Sequence, residues 1–272
     1  MSLVAKNITA HAGPIQLLDD VSVTVNEGEV VGLLGPNGAG KTSLLKAISG
    51  ELKLSAGQLQ LNGRMKTQWS PAELAQMQAV LPQYSQLSFS FSVFEVVLLG
   101  RIPHATGWQE NERIVRAALA IVDAVHLLER DYINLSGGEK QRVHLARVLV
   151  QIWTECDLGS RFLLLDEPTA ALDLAHQHMT LRTAREFAKT GVGVLVILHD
   201  LNLAAQYADR LLIMKSGRVV ASGKPEEVLT PVQIQQVFSI QVSVIDHPQT
   251  GRPLVISCES GHNTVMLEGA ND

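Results

Sequence analysis

The sequence predicts an α/β fold with a mainly parallel sheet, an N-terminal antiparallel β layer and an inserted helical subdomain. Three observations predict it. Residues 29–34 are apolar and β-favouring, and they run into a glycine-rich loop and then a helical pattern. After Thr154, short apolar runs return in alternation with helical stretches, as a parallel sheet requires. Between them, residues 84–153 carry Phe89, Phe91, Phe94, Trp108 and long helical patterns, but no convincing strand. The insertion is accordingly placed at 84–158, inside a core spanning 1–240, with 241–272 as a C-terminal extension.

The elements follow in order. Residues 3–10 and 21–25 read as two strands of a β layer beside the loop. Residues 58–61, then Asn62-Gly63 and Arg64, read as a hairpin, because Asn-Gly suits a type I′ turn. Ser70 is a fitting N-cap for a helix over 71–77, with Pro71 at its first position. Residues 80–83 form a short strand broken by Pro82. Helical patterns cover 110–128 and 137–153. Strands are expected at 162–165, 192–198, 210–214 and 218–221, the last after a Lys215-Ser216-Gly217 turn. Pro231 opens a short helix to Phe238, a hairpin occupies 241–256, and the last dozen residues are polar and expected to fray.

Composition removes several function classes. The chain has 272 residues, 46% of them hydrophobic, and a net charge of −5. It has no long run of Lys and Arg, which disfavours a nucleic-acid partner. Its two cysteines, Cys156 and Cys258, are far apart and suggest neither a disulfide framework nor a metal knuckle, in keeping with a reducing cytoplasm. No secretory leader is evident, and no apolar run approaches the ~20 residues of a membrane span. Any work at a membrane is therefore expected to go through a partner.

The chemistry starts at Gly35-Pro36-Asn37-Gly38-Ala39-Gly40-Lys41-Thr42-Ser43, which is G-x-x-x-x-G-K-[ST] between a strand and a helix. Glycines let several backbone N–H groups converge on one anion, and the helix N-terminus adds unpaired N–H groups and a positive dipole end. Lys41 would supply charge to the β- and γ-phosphates, and Thr42 a hydroxyl to Mg²⁺. Residues 161–168 read R-F-L-L-L-D-E-P: an apolar strand ending in Asp166 and Glu167. Two acids capping a strand are common. After a phosphate loop they suit better a Mg²⁺ site at Asp166 and a water-activating Glu167 beside the γ-phosphate. Residues 135–139 read L-S-G-G-E. Ser136 and Glu139 make an ordinary capping box. Gly137 and Gly138 also expose backbone N–H groups to an anion.

With Gln141 and Arg142 following it, that pentapeptide makes the chain resemble the nucleotide-binding subunit of an ABC transporter, over about residues 1–240. The resemblance implies an ATP hydrolase with ATP and Mg²⁺ as cofactors. It implies that Gln83 contacts the metal and the water, that Asp173 belongs to the loop at the dimer junction, and that His199 contacts the γ-phosphate. Aligned on Leu18-Asp19-Asp20-Val21-Ser22, the position that stacks on adenine is His11. It implies a head-to-tail dimer in which Ser136, Gly137 and Gly138 face the second copy's ATP, on a transmembrane permease dimer fed by a periplasmic binding protein. The location implied is the cytoplasmic face of the bacterial inner membrane. Leu99-Gly100-Arg101-Ile102-Pro103-His104 is similar to importers of iron chelates, haem and vitamin B12. The long 151–160 segment and residues 172–178 are most similar to haem importers. A siderophore or cobalamin importer is the alternative; a soluble ABC ATPase or a non-hydrolysing scaffold is less well matched. His176 and His178 are not read as haem ligands, since residues two apart on a helix point to different faces.

Overall fold

The computed structural model describes residues 1–83 and 90–258. The start of the expected insertion at 84–89, with Phe89, and the polar tail at 259–272 lie outside the described residues.

Strands β1 (Ser2–Ala12) and β2 (Ile15–Asn26) pair antiparallel. β2 starts six residues before the expected strand, because its first half continues the ladder with β1. β3 (Val30–Leu34) leads through the glycine loop into α1 (Lys41–Ser49). β4 (Leu54–Leu61) and β5 (Arg64–Met65) form the expected hairpin, with Asn62 and Gly63 both at positive φ. α2 (Pro71–Met77) starts at a Ser70–Glu73 capping box. It runs directly into β6 (Gln78–Leu81), so that strand lies two residues before the expected 80–83 and stops at Pro82.

α3 (Val93–Leu98), α4 (Trp108–Ile121) and α5 (Gly137–Gln151) follow. The helix expected over 110–128 is a correction: α4 ends at Ile121, and Asp123 turns left-handed at φ 51°. Ala124 N–H bonds back to the Leu119 carbonyl, and the Asp123 carbonyl accepts from the buried Arg142 guanidinium. The break is a tertiary contact that the apolar periodicity does not reveal. α3, in the same inserted segment, is a short helix that the two long helical patterns do not cover.

The core resumes with β7 (Phe162–Asp166), α6 (Leu174–Lys189), β8 (Gly193–Ile197), α7 (Leu201–Tyr207), β9 (Arg210–Lys215) and β10 (Arg218–Gly223). α8 (Pro225–Val228) and α9 (Pro231–Phe238) precede a hairpin, β11 (Val242–Asp246) and β12 (Pro253–Ser257).

The central sheet has the order β10-β9-β3-β8-β7-β6, parallel throughout except for β9–β10. The second sheet has the order β2-β1-β4-β5 and is antiparallel. β3, β7 and β8 are buried at every residue, which is why they read as unbroken apolar runs. Successive side chains serve opposite faces. Val31, Leu33, Leu164 and Leu195 pack with α1 under the antiparallel layer. Val30, Leu34, Leu163, Leu165 and Val194 pack with α5, α6 and α7 on the other side.

The importer-like run 99–104 is a packing device. A Cβ on Gly100 would lie 2.1 Å from the Arg147 carbonyl oxygen, so only glycine admits this approach to α5. Arg101 is buried and donates to the Val150 carbonyl at 2.7 Å and to Asn111 Oδ1 at 3.0 Å. His104 donates from Nε2 to the Gln151 carbonyl at 2.7 Å. Arg101 and His104 thus satisfy the last carbonyls of α5; the dipole there favours the Arg101 charge, while burial lowers the pKa of His104, which serves as a hydrogen-bond donor. Gly100→Ala is expected to cost about 1–3 kcal/mol in urea unfolding; an unchanged midpoint would mean that α5 yields without penalty.

Candidate nucleotide site

The glycine loop starts where β3 ends. Gly35 has φ 152°, and a Cβ there would lie 2.3 Å from the Met214 carbonyl oxygen on β9. Gly40, at φ 99°, caps α1 without any side-chain bond, so the first-turn N–H groups of α1 are not capped by a side chain. Gly217 N–H bonds to the Ala39 carbonyl at 2.9 Å and ties the loop to the β9–β10 turn. Lys41 is only 6% exposed and folds back, donating to the carbonyls of Gly35 at 2.7 Å and Pro36 at 3.1 Å. Burial lowers its pKa; the carboxylates of Glu167 and Asp166 work against that shift.

Those carboxylates stand at the end of β7. Asp166 is 2% exposed and accepts from the Thr42 hydroxyl at 3.4 Å. Burial raises its pKa, and Glu167 adds to the rise, while the Thr42 bond, Lys46 and Lys41 oppose it. Glu167 has φ 50°, a left-handed backbone that costs a residue with a Cβ strain and is concentrated at functional sites. This turn brings its carboxylate between two strand ends. Gln83 Nε2 donates to Glu167 Oε2 at 2.7 Å, and His199 Nε2 lies 2.5 Å from Glu167 Oε1.

Lys41, Thr42, Gln83, Glu167 and His199 line one open cleft of about 830 Å³, together with 37–40 and Ser43. Asp166 lies beneath it, against Thr42. Ile15, Gln16, Leu17, Ser216 and Gly217 complete the lining and were not expected from the sequence. Of these, only the Lys215-Ser216-Gly217 turn carries a local signal; the rest reach the cleft through strand pairing. The Thr42 hydroxyl, the Asp166 carboxylate and the Gln83 carbonyl are hard oxygen donors, the class that Mg²⁺ takes. Among the described residues no cluster of three or more His, Cys, Asp or Glu could hold a metal.

Other expected residues lie outside this cleft. Ser136 and Gly137 are exposed at the start of α5, in a capping box closed by Glu139. A Cβ on Gly138 would lie 3.2 Å from the Ala171 carbonyl, so this loop rests on the segment before α6. Asp173 caps α6, accepting from His176 N–H at 2.9 Å and from its ring Nδ1 at 2.8 Å; those bonds hold its pKa low. His178 bonds the Tyr207 hydroxyl at 2.8 Å. Both histidines are thus committed to neighbouring side chains. His11 is not among the cleft residues: its Nδ1 meets Ser55 Oγ at 3.1 Å on β4.

Two outcomes follow from this geometry. Because burial raises the Asp166 pKa, the folded chain binds that proton more tightly than the unfolded one. This contribution to stability is fully present below the unfolded carboxyl pKa and is lost as pH rises through the raised folded value. Asp166→Asn should therefore raise the thermal midpoint of the nucleotide-free chain at neutral pH, measured by calorimetry, and narrow the difference from parent at acid pH. His11→Ala should shift ATP affinity by less than about threefold, whereas Lys41→Ala should weaken it by more than about tenfold, since only the second removes a charged donor from the cleft. Titration calorimetry showing the reverse order would place adenine at His11.

Comparison with known proteins agrees with this geometry. The family model described as ABC transporter matches residues 18–170. The Hemin import ATP-binding protein HmuV of Pseudomonas entomophila is 55% identical over 90% of this chain and 95% of its own length. The proteins of the same name from Gloeobacter violaceus and Pseudomonas aeruginosa are 52% and 49% identical, over 88% and 94% of this chain and 88% and 99% of theirs. Among solved structures, an ATP-binding subunit of an ABC transporter superposes with a TM-score of 0.75, at 26% identity, covering 84% of this chain and 92% of that one. A nucleotide-free ATP-binding cassette from an ABC transporter gives 0.72 at 28% identity, over 88% and 96%. A strand-end Asp-Glu pair beside a lysine-bearing glycine loop, and matches over most of the length of proteins with that description, have one reading: the chain belongs to the ABC transporter family, as an ATP-binding subunit.

Proposed function

We infer that this chain hydrolyses ATP to power the import of haem through a membrane permease. The observation that carries the hydrolytic part is the meeting of Gln83, Glu167 and His199 beside the Lys41 loop. The substrate reading rests on the relatives named as hemin import proteins, which match at about half identity over most of the chain.

The loop amides and Lys41 bind the β- and γ-phosphates; with two of its three N–H donors on the Gly35 and Pro36 carbonyls, Lys41 has one left for a phosphate oxygen. Thr42, Asp166 and Gln83 would hold Mg²⁺, which when bound draws charge from the β- and γ-oxygens. Glu167 accepts the proton of, or orients, the attacking water. Its bonds to Gln83 and His199 fix its carboxylate in one place before substrate arrives. His199, at 48% side-chain exposure, borders the cleft where the γ-phosphate would lie. Ser136 and Gly137 stand exposed and Gly138 half-buried, away from the cleft of their own chain. That suits contribution to the ATP of a second copy, with Asp173 near the junction. Among the described residues no helix is long and apolar enough to cross a membrane, so passage of the substrate belongs to the permease.

Glu167→Gln should keep ATP affinity near parent and lower turnover by about 100-fold or more, as loss of a general base does; hydrolysis at the parental rate would remove Glu167 from this role. In liposomes holding the chain and its membrane partner, ATP-dependent uptake is expected for haem. Uptake of a ferric siderophore or cobalamin alone would overturn the substrate reading.

A further inference from the structure

We propose that the C-terminal hairpin β11–β12 is a brace that sets the position of His199, with Asn202 and Arg252 as its positioning residues. His199 lies between the end of β8 and Asp200, the N-cap of α7. Asp200 Oδ1 accepts from the N–H groups of Asn202 at 2.7 Å and Leu203 at 2.9 Å. The backbone on the C-terminal side of His199 is therefore fixed by α7. That helix has only seven residues, too few to hold itself in place, and needs tertiary support.

The hairpin grips α7 at both ends. Near its start, the Asn202 amide pairs with Val255 as a neighbouring strand would. Its Nδ2 donates to the Val255 carbonyl at 3.1 Å, and its Oδ1 accepts from the Val255 N–H at 2.7 Å. At its end, Arg252 donates to the carbonyls of Ala205 at 2.7 Å and Ala208 at 2.8 Å, groups that a helix terminus leaves unpaired. The hairpin is itself anchored, since Val242, Val244 and Val255 pack on the main core. Its tight end is closed by His247 N–H to the Arg252 carbonyl at 2.8 Å. No hairpin residue lines the nucleotide cleft. The hairpin also borders the first turn of α6 across a pocket lined by Leu174, Gln177 and His178, but its hydrogen bonds go to α7, whose N-cap follows His199 directly.

The proposal rests on the reading of His199 as the γ-phosphate contact, and the test separates the two. Steady-state hydrolysis and ATP affinity are measured on the full-length chain and on His199→Ala, Asn202→Ala, Arg252→Ala and the double variant His199→Ala with Asn202→Ala. Asn202→Ala and Arg252→Ala should each lower kcat by about tenfold, the scale on which misplacement of a reacting group acts. ATP affinity should stay within about twofold, because neither residue touches the cleft. In the His199→Ala background, Asn202→Ala should cost nothing further. Parental kcat in both brace variants would overturn the proposal. So would a full additional loss in the double variant, or a fall in ATP affinity alongside kcat, which would mark the hairpin as general support for the fold. His199→Ala turning over at the parental rate would instead overturn the reading beneath it.

Discussion

One carboxylate organises the site, and one constraint delivers it. Glu167 follows β7, Gln83 follows β6, and His199 follows β8. These three strands are adjacent and parallel, and β3, which feeds the glycine loop, is next in line. A parallel sheet sends every strand out at the same edge, and ligands of such sheets bind there. The order of groups across the cleft is thus the order of strands in the sheet. Register matters as much as order. A one-residue slip of β7 would exchange Leu164 and Leu165 between the two cores and carry Glu167 off its partners.

Holding this arrangement works against the stability of the fold. Asp166 is a buried acid whose proton is held more firmly than in water. Lys41 is a buried base with the opposite shift. Glu167 occupies a backbone region that suits glycine. These are local costs concentrated at a functional site, and they are offset by regular structure elsewhere. Here the offset comes from three strands buried at every residue and from cores on both faces of the sheet.

Much of this was legible in the sequence, and what was legible is local. The glycine loop, the acids ending an apolar strand, the Ser70 N-cap and the Ser136 capping box each fit within a few residues, and each stands where expected. What was not legible depends on residues distant in the chain. The break at Asp123 follows from Arg142, nineteen residues on, and the helical periodicity beyond Ile121 concealed it. Which residues near the start of β2 border the cleft is set by strand pairing: His11, the position aligned with an adenine contact, meets Ser55 on β4 through Nδ1, and Gln16, paired across from it, lines the cleft. The run 99–104 could be matched by resemblance alone; its reason lies in the carbonyls at the end of α5.

The folded-back posture of Lys41 has a consequence for how an anion is met here. Its ammonium already holds the Gly35 and Pro36 carbonyls. An ammonium has three N–H donors, so one remains for the cleft that Lys41 lines. The loop thus aims its own cation, and that cation reaches an anion without first giving up a partner. Charge alone would not reproduce this: an arginine is a planar fork in place of a compact, rotatable ammonium, so it would keep the charge and lose the aim.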